Sequence, residues 1–213
     1  MTGEELDVFD ADGAAARPPR AGMDDVHRQG LWHRTFACWL VSLQRGTVLL
    51  QQRGPRNRID PGSYDASASG HLAAGETPED GWRELQEELG VTLPAKNRFA
   101  IGVFRNCARR GAYINNEFCH VFMGLWAGDM FAIRLQPGEV AACGEIAIVD
   151  GLALFGGHMA EITLGGAAGT AVRLSRADMC NHAARCENGY YLNVMRAAAD
   201  LAAGRAPRLL PPL

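Results

Sequence analysis

The sequence predicts an α/β fold of the α+β type: a mixed β-sheet with helices packed on it, followed by a helical C-terminal appendage. Three observations carry that prediction. Short apolar runs bounded by turn residues recur through the first 150 residues, the pattern of strands. Between them, Thr77 to Gly90 forms an amphipathic segment with helix start and stop signals. Beyond Asp150 the strand pattern gives way to glycine-rich and then helix-like sequence.

Taken in order, Leu6 to Phe9 reads as a short strand ended by the turn-forming Asp10-Ala11-Asp12-Gly13. Phe36 to Val41 is a continuous apolar run, short enough for a strand buried on both faces. Thr47 to Gln52 is another, and Gln44-Arg45-Gly46 joins the two as a hairpin. A polar loop over Arg56 to Gly62 closes with Pro61-Gly62. Thr77 then suits a helix N-cap, Pro78 the first helical position and Asp80 the acid of a capping box. Gly90 supplies the stop, so the helix spans Pro78 to Leu89. Strands follow near Phe99 to Phe104, over Phe118 to Trp126 and from Val140 to Val149.

In the C-terminal part, Leu152 to Phe155 gives a helical turn, followed by a glycine-rich region with Gly156-Gly157 and Gly165-Gly166. Ser175 caps a helix over Arg176 to Cys186 that Asn188-Gly189 stops. Tyr190 to Ala203 is the last helix, with Tyr191, Val194, Met195 and Leu201 as its packing residues, and the end from Arg205 is an extended tail. The chain divides into a main domain over 1–155 and an appendage over 156–213, which shapes either the substrate pocket or a dimer contact.

Composition narrows the function classes. With 47% hydrophobic and 21% charged residues the chain is an ordinary globular protein. A net charge of −3 gives no bulk attraction to a nucleic acid polymer or an anionic membrane, so phosphate recognition has to be local. No apolar run reaches the length of a membrane span, and the acidic N-terminus lacks a signal-peptide core. The six scattered cysteines include no Cys-x-x-Cys pair and read as reduced, mostly buried small hydrophobes. The expected compartment is the cytoplasm.

The chemistry gathers on the central helix. At about 100° per residue, Trp82, Leu85 and Leu89 share one face and Glu84, Glu87 and Glu88 the opposite one. Three carboxylates so close raise one another's pKa unless a cation neutralises them. Ligation by carboxylate oxygen alone favours a hard ion, Mg²⁺ first and Mn²⁺ second. An ordinary helix with a solvated acidic face is the competing reading.

The pattern Gly70-x5-Glu76, then Arg83-Glu84-Leu85-Gln86-Glu87-Glu88-Leu89-Gly90-Val91, resembles the signature box of the Nudix hydrolases. The resemblance implies a Nudix-like fold, with residues 1–155 as its catalytic domain. It also implies hydrolysis of a diphosphate linked to another group, with the metal held by Glu84, Glu87 and Glu88 and with Glu76 as a further ligand. Arg83 is expected to fix the glutamates rather than touch substrate. One departure is visible: six residues separate Glu76 from Arg83, where the family pattern has seven.

The flanking stretches VHRQGLWHRTFACWLV, LLQQRGPRNRIDPGSYDASASGH and INNEFCHVF are similar to isopentenyl-diphosphate isomerases and their hydrolase relatives. In that subgroup the isomerases protonate a double bond with a cysteine ahead of a Gly-His pair and a glutamate on a later strand. Here the pair is Gly70-His71, the preceding residue is Ser69, the later glutamate is Glu117, and Asn115 replaces a second carboxylate. A serine hydroxyl is far too weak an acid to replace the thiol near neutral pH, so hydrolysis is favoured. His27 and His33 stand near the isomerase's histidine positions, and with His71 they are open to three readings: a relic, a second metal site or structural residues.

Arg53 with Arg56 or Arg58 is expected to clamp the diphosphate, next to Gly70 and His71 in the box loop. The segment Arg105 to Arg110 extends that contact or is an exposed basic loop. Glu117 is the candidate general base or extra metal ligand, against a solvated strand glutamate. The substrate is a nucleoside diphosphate derivative or a small non-nucleotide diphosphate. Trp32, Tyr64, Phe104, Tyr113 and Phe118 either stack its remaining group or belong to the core. A non-catalytic diphosphate-binding module is the alternative from another class, and the resemblance also leaves a homodimer open, since relatives with an extra N-terminal strand are often homodimers.

Overall fold

The computed structural model describes residues 3–166, 171–181, 185 and 188–211. In chain order the strands and α-helices are β1 (Glu5–Phe9), β2 (Ala15–Gly22), α1 (Met23–Gln29), β3 (Trp32–Ser42), β4 (Thr47–Arg53), β5 (Tyr64–Asp65), β6 (Ala68–His71), α2 (Arg83–Leu89), β7 (Arg98–Arg110), β8 (Tyr113–Leu125), β9 (Val140–Ala147), α3 (Ile148–Phe155), β10 (Glu161–Gly166), β11 (Ala171–Ser175) and α4 (Tyr190–Ala202). The strands form one mixed sheet with the path β11-β10-β9-β4-β3-β1-β2, and β6 and β8 also pair with β3. β3 and β8 run parallel, from Trp32 opposite Asn116 to Val41 opposite Leu125, and the other pairings are antiparallel.

Strand β3 organises the core through the alternation of its side chains. Phe36, Cys38 and Leu40 point into one cluster with Trp82, Leu85 and Leu89. Ala37, Trp39 and Val41 point into another with Leu154, Tyr190, Tyr191, Val194 and Met195. A strand covered on both faces reads as an unbroken apolar run, which is why Phe36 to Val41 shows no polar alternation. α2 therefore lies on one face of the sheet, and α3 and α4 lie on the other.

Several elements differ from the sequence expectation. The helix expected over Pro78 to Leu89 is a 3₁₀ turn, Pro78–Trp82, running into α2, with the Thr77–Asp80 capping box formed. A 3₁₀ turn rises about 2.0 Å per residue against about 1.5 Å in an α-helix, so fewer residues cover the same distance. That geometry accommodates the six-residue spacing between Glu76 and Arg83. Gly81 permits it: a Cβ there would lie 2.5 Å from the Phe36 ring.

The segment Arg105 to Arg110 is the end of β7 rather than a loop, and β9 stops at Ala147 where α3 begins. β2 and α1 carry no strong signal, because Pro18 and Pro19 interrupt the first and the second is short. Nor is the C-terminal part all helical: β10 and β11 form a hairpin that extends the sheet from β9. Glycines at 165 and 166 read as a loop, yet strand ladders need only backbone groups. Of the helix expected over Arg176 to Cys186, a 3₁₀ turn over Arg176–Asp178 is present, and part of the remainder lies outside the described residues. The tail is pinned: Leu210 N donates to Ile101 O at 2.7 Å, and Arg205 and Arg208 both reach Asp200.

Because α4 fills the same cluster as Trp39 and Val41, residues 156–213 are expected to be required for folding of the remainder. Each fully buried Leu, Val or Met side chain withdrawn removes roughly 1.5–3 kcal/mol. A chain ending at Phe155 should lose cooperative urea unfolding monitored by tryptophan fluorescence. A sharp, parent-like transition in that fragment would show the two parts to be independent.

Candidate active site

The carboxylates of the central helix are arranged around Arg83. Its Nε and Nη2 donate to the two oxygens of Glu76 at 2.9 and 3.1 Å, and Nη1 donates to Glu84 at 2.7 Å and Glu87 at 3.3 Å. Nη2 also donates to the backbone oxygen of His71 at 2.9 Å, fastening the helix to the end of β6. Both Glu76 oxygens are thereby used, and Oε2 also accepts from Ala73 N at 2.7 Å. The hydrogen bond from Arg83 holds the Glu76 carboxyl below its ordinary value. Glu76 does not border the cavity described below, and both its oxygens accept from Arg83.

Glu84 and Glu88 lie one turn apart, and both are buried. Burial pushes Glu84 up to about 7, against the pull of Arg83, and Glu88 up to about 8, with the charge of Glu84 adding to the rise. Glu88 Oε2 accepts from Ser69 N at 3.0 Å and Gln51 Nε2 at 3.1 Å, which leaves Oε1 open. Glu84 is tied through Oε1, which leaves Oε2 open. Two buried carboxylates with one free oxygen each fit a hard divalent cation. Glu87 is half exposed, and among the described residues its carboxylate bonds Arg83 alone. Gly70 is a steric necessity, since a Cβ there would sit 2.2 Å from Glu84 Oε1.

A cavity of about 410 Å³ opens beside these groups. Gly70, His71, Arg83, Glu84, Glu87, Glu88 and Glu117 border it, with Arg53, Arg56, Arg58 and Arg185 among the cationic lining. Arg53 is largely committed, with Nε donating to Ile59 O at 3.0 Å and Nη1 lying 3.5 Å from Asp65. Arg58 is turned outward to Asp24 at 3.0 Å. The arginines of β7 do not border the cavity: Arg105 stacks over Trp32 and Phe118, and Arg110 pairs with Asp60. Of the five aromatics considered from sequence, Tyr113 alone borders it, and His27 stacks on its ring at 4.3 Å.

The fold brings His27 of α1, His33 of β3 and His71 of β6 together, with one ligand atom of each lying within 4.8 Å of the others. Among the described residues this is the one such group of three or more His, Cys, Asp or Glu donors. His27 Nδ1 donates to Ile114 O at 3.4 Å and His33 Nδ1 to Leu31 O at 3.0 Å. In the neutral rings this directs both Nε2 lone pairs inward. His27 Nε2 lies 3.1 Å from His71 Nε2, and His33 Nε2 is buried with no partner. Burial lowers all three, His27 to about 4, so the rings are neutral near pH 7. The Nδ1 bonds of His27 and His33 and the orphaned Nε2 of His33 suit metal ligation.

Glu117 stands opposite His33 in the β3–β8 register. Its oxygens accept from Asn106 and Asn115, each at 2.6 Å, and Asn106 in turn accepts from Asn181 at 2.7 Å. Sequence reading missed Asn106, Asn181, Asp65 and Arg185. No local pattern marks them, since their partners are remote in the chain. The segment before α4 supplies Cys180, Asn181 and Arg185 to the cavity, which places part of 156–213 at the pocket.

The family model for the NUDIX domain matches residues 31–155. An uncharacterized Nudix hydrolase of Clostridium acetobutylicum is 33% identical over 207 residues, 94% of this chain and 99% of that protein. Nudix hydrolase 3 of Arabidopsis thaliana is 37% identical over 149 residues, 67% of this chain but 19% of the plant protein. An isopentenyl-diphosphate Delta-isomerase of Serratia proteamaculans is 36% identical over 104 residues, 48% of this chain and 56% of the isomerase. A crystal structure from Deinococcus radiodurans shares the fold, with a TM-score of 0.56 at 19% identity over 72% of this chain and 90% of that one. The chain belongs to the Nudix family, and its class of chemistry is hydrolysis of diphosphate bonds. None of the helices among the described residues is long and apolar enough to cross a membrane.

The raised carboxyls make stability depend on pH. Glu84 and Glu88 titrate near 7 and 8 in the folded chain rather than near 4.5, so their contribution is present at low pH and lost as pH rises through those values. The histidines act oppositely: depressed from 6.5, they contribute above that value and lose the contribution as pH falls towards 4. Between pH 6.5 and 8 the glutamates act alone. The Tm of metal-free protein is expected to fall across that interval in scanning calorimetry, and Glu88→Gln to flatten the fall. A Tm that climbs instead would contradict the burial of the pair.

Proposed function

We propose that the protein is a metal-dependent phosphoanhydride hydrolase acting on a nucleoside diphosphate derivative or a small non-nucleotide diphosphate. One observation carries this reading: the cavity pairs two buried carboxylates, each with an open oxygen, with a wall of arginines. Glu84 and Glu88 would hold Mg²⁺, or Mn²⁺ in its place, with Glu87 at the exposed rim. When bound, the metal supplies charge neutralisation along the anhydride oxygens.

The remaining roles belong to the chain's own groups. Arg83 sets the positions of Glu84 and Glu87, and Glu76 holds Arg83. Arg53 and Arg58 offer guanidinium donors to the diphosphate, Arg58 after exchanging its exposed partner Asp24. Glu117, oriented by two amides, is the candidate base or an additional ligand beside the histidine trio. The buried thiols Cys38, Cys119 and Cys180 favour a reducing compartment, and we propose the cytoplasm.

A second reading, double-bond isomerisation of an isopentenyl-type diphosphate, is favoured by the convergence of His27, His33 and His71 beside Glu117. Ser69 weighs against it. Cys119 and Cys180 border the cavity, but burial pushes both up to about 12, so neither replaces a thiol at position 69.

Glu84→Gln and Glu88→Gln are expected to lower turnover roughly 100-fold or more on whichever diphosphate proves a substrate with Mg²⁺. Phosphate release from a panel of nucleotide and non-nucleotide diphosphates measures this, and undiminished release in both variants would rule out their role. Isopentenyl diphosphate in deuterated water, followed by NMR, separates the second reading: deuterium entering carbon without phosphate release would replace hydrolysis by isomerisation.

A further inference from the structure

Building on the hydrolase reading, we propose that Arg185 binds a phosphate of the diphosphate substrate, so that the C-terminal segment completes the active site. Arg185 lies beyond the 31–155 stretch that the family model matches. Its side chain is buried and borders the cavity that Glu84, Glu88 and Arg53 share. Nη1 donates to Asp65 Oδ1 at 2.6 Å and to the Tyr191 hydroxyl at 3.4 Å, and that hydroxyl donates to Cys180 O at 2.6 Å. The guanidinium carbon also sits 5.3 Å from the centre of the Tyr190 ring. One edge of the group is thus firmly held.

The other edge is not. Nε is buried with no acceptor, and Nη2 makes no hydrogen bond among the described residues. The N–H bonds of Nε and Nη2 point in parallel from one side of the guanidinium, the fork that engages two phosphate oxygens at once. A buried cationic donor without an acceptor is destabilising, and an anion in the cavity removes that deficit.

The local charge points the same way. Asp65 is shared by Arg185 and Arg53, which leaves one positive charge uncompensated at that wall. Arg53 and Glu88 are close enough to feel each other's charge, so this wall lies beside the carboxylates that would hold the metal. A purely structural ion pair with Asp65 needs Nη1 and gives no reason for an open fork beside a second arginine. The ligand chemistry is a phosphate dianion next to the metal.

The test is a calorimetric titration of the full chain with inorganic pyrophosphate, without divalent ions and at slightly acidic pH, where Glu84 and Glu88 carry protons. Parent protein is compared with Arg185→Lys, which keeps the charge beside Asp65 but has no fork, and with Arg185→Gln. Both variants are expected to bind pyrophosphate about tenfold more weakly or worse. With Mg²⁺ and a turned-over substrate, Arg185→Lys should raise KM more than it lowers kcat. Affinity within about twofold of the parent in the lysine variant, even with a lowered Tm, would overturn the proposal. A second measurement needs no variant to fold. In NMR of the parent, the Arg185 Nε–H proton is expected to gain protection from solvent exchange on adding pyrophosphate, and an unchanged signal overturns the assignment. Pyrophosphate bound through Arg185 in a protein that hydrolyses no diphosphate would uphold this site while removing the hydrolase reading.

Discussion

A single guanidinium holds the site together. Arg83 reaches Glu76, Glu84, Glu87 and the backbone oxygen of His71, tying the 3₁₀ turn, α2 and the end of β6 into one unit. Without that cation, Glu84 and Glu87 would share one helical face with no bonded guanidinium between them. Its geometry also explains why Gly70 stands where it does. The strand passes so close to Glu84 that no side chain fits between them. The tightness of the 3₁₀ turn follows from the same constraint, because Glu76 must still meet Arg83 with one residue fewer between them than the family pattern has.

Around that unit the cavity has three chemically distinct walls. Glu84 and Glu88 present oxygen donors suited to a hard ion, and His71, grouped with His27 and His33 behind it, presents a neutral nitrogen suited to a softer one. The third wall is cationic, with Arg53 and Arg185 sharing Asp65. Glu117 joins the walls through a run of amides, Asn115 on one side and Asn106 with Asn181 on the other. Asn181 belongs to the segment before α4, and its backbone N donates to Asp60 at 2.7 Å, so the same residue ties that segment to the loop after β4. Four large aromatics lie away from that cavity: Trp32 packs on Phe118 and Phe104 on Tyr190.

What could be read from the chain was mostly what is local in it. The helix start at Thr77, the stop at Gly90, the face shared by Trp82, Leu85 and Leu89, and the hairpin between β3 and β4 each depend on residues a few positions apart. Repetitive patterns failed where the backbone alone decided the outcome, as in the glycines of β10, or where a strand carried unpatterned charge, as at Arg105 to Arg110. Spacing marks Glu76 within the motif but does not show that its oxygens bond Arg83 and Ala73 N.

The sequence by itself determined the Nudix family, the glutamate-bearing helix and the buried two-faced strand, since periodicity and motif spacing are properties of neighbouring residues. Tertiary structure alone decided that His27 meets His71, that Asp65 holds Arg185 from 120 positions away, and that the C-terminal segment walls the cavity. Such contacts leave no trace in local sequence. They exist because strand pairing and the packing of α4 bring distant backbone together, and the charges then settle where burial leaves them the fewest alternatives.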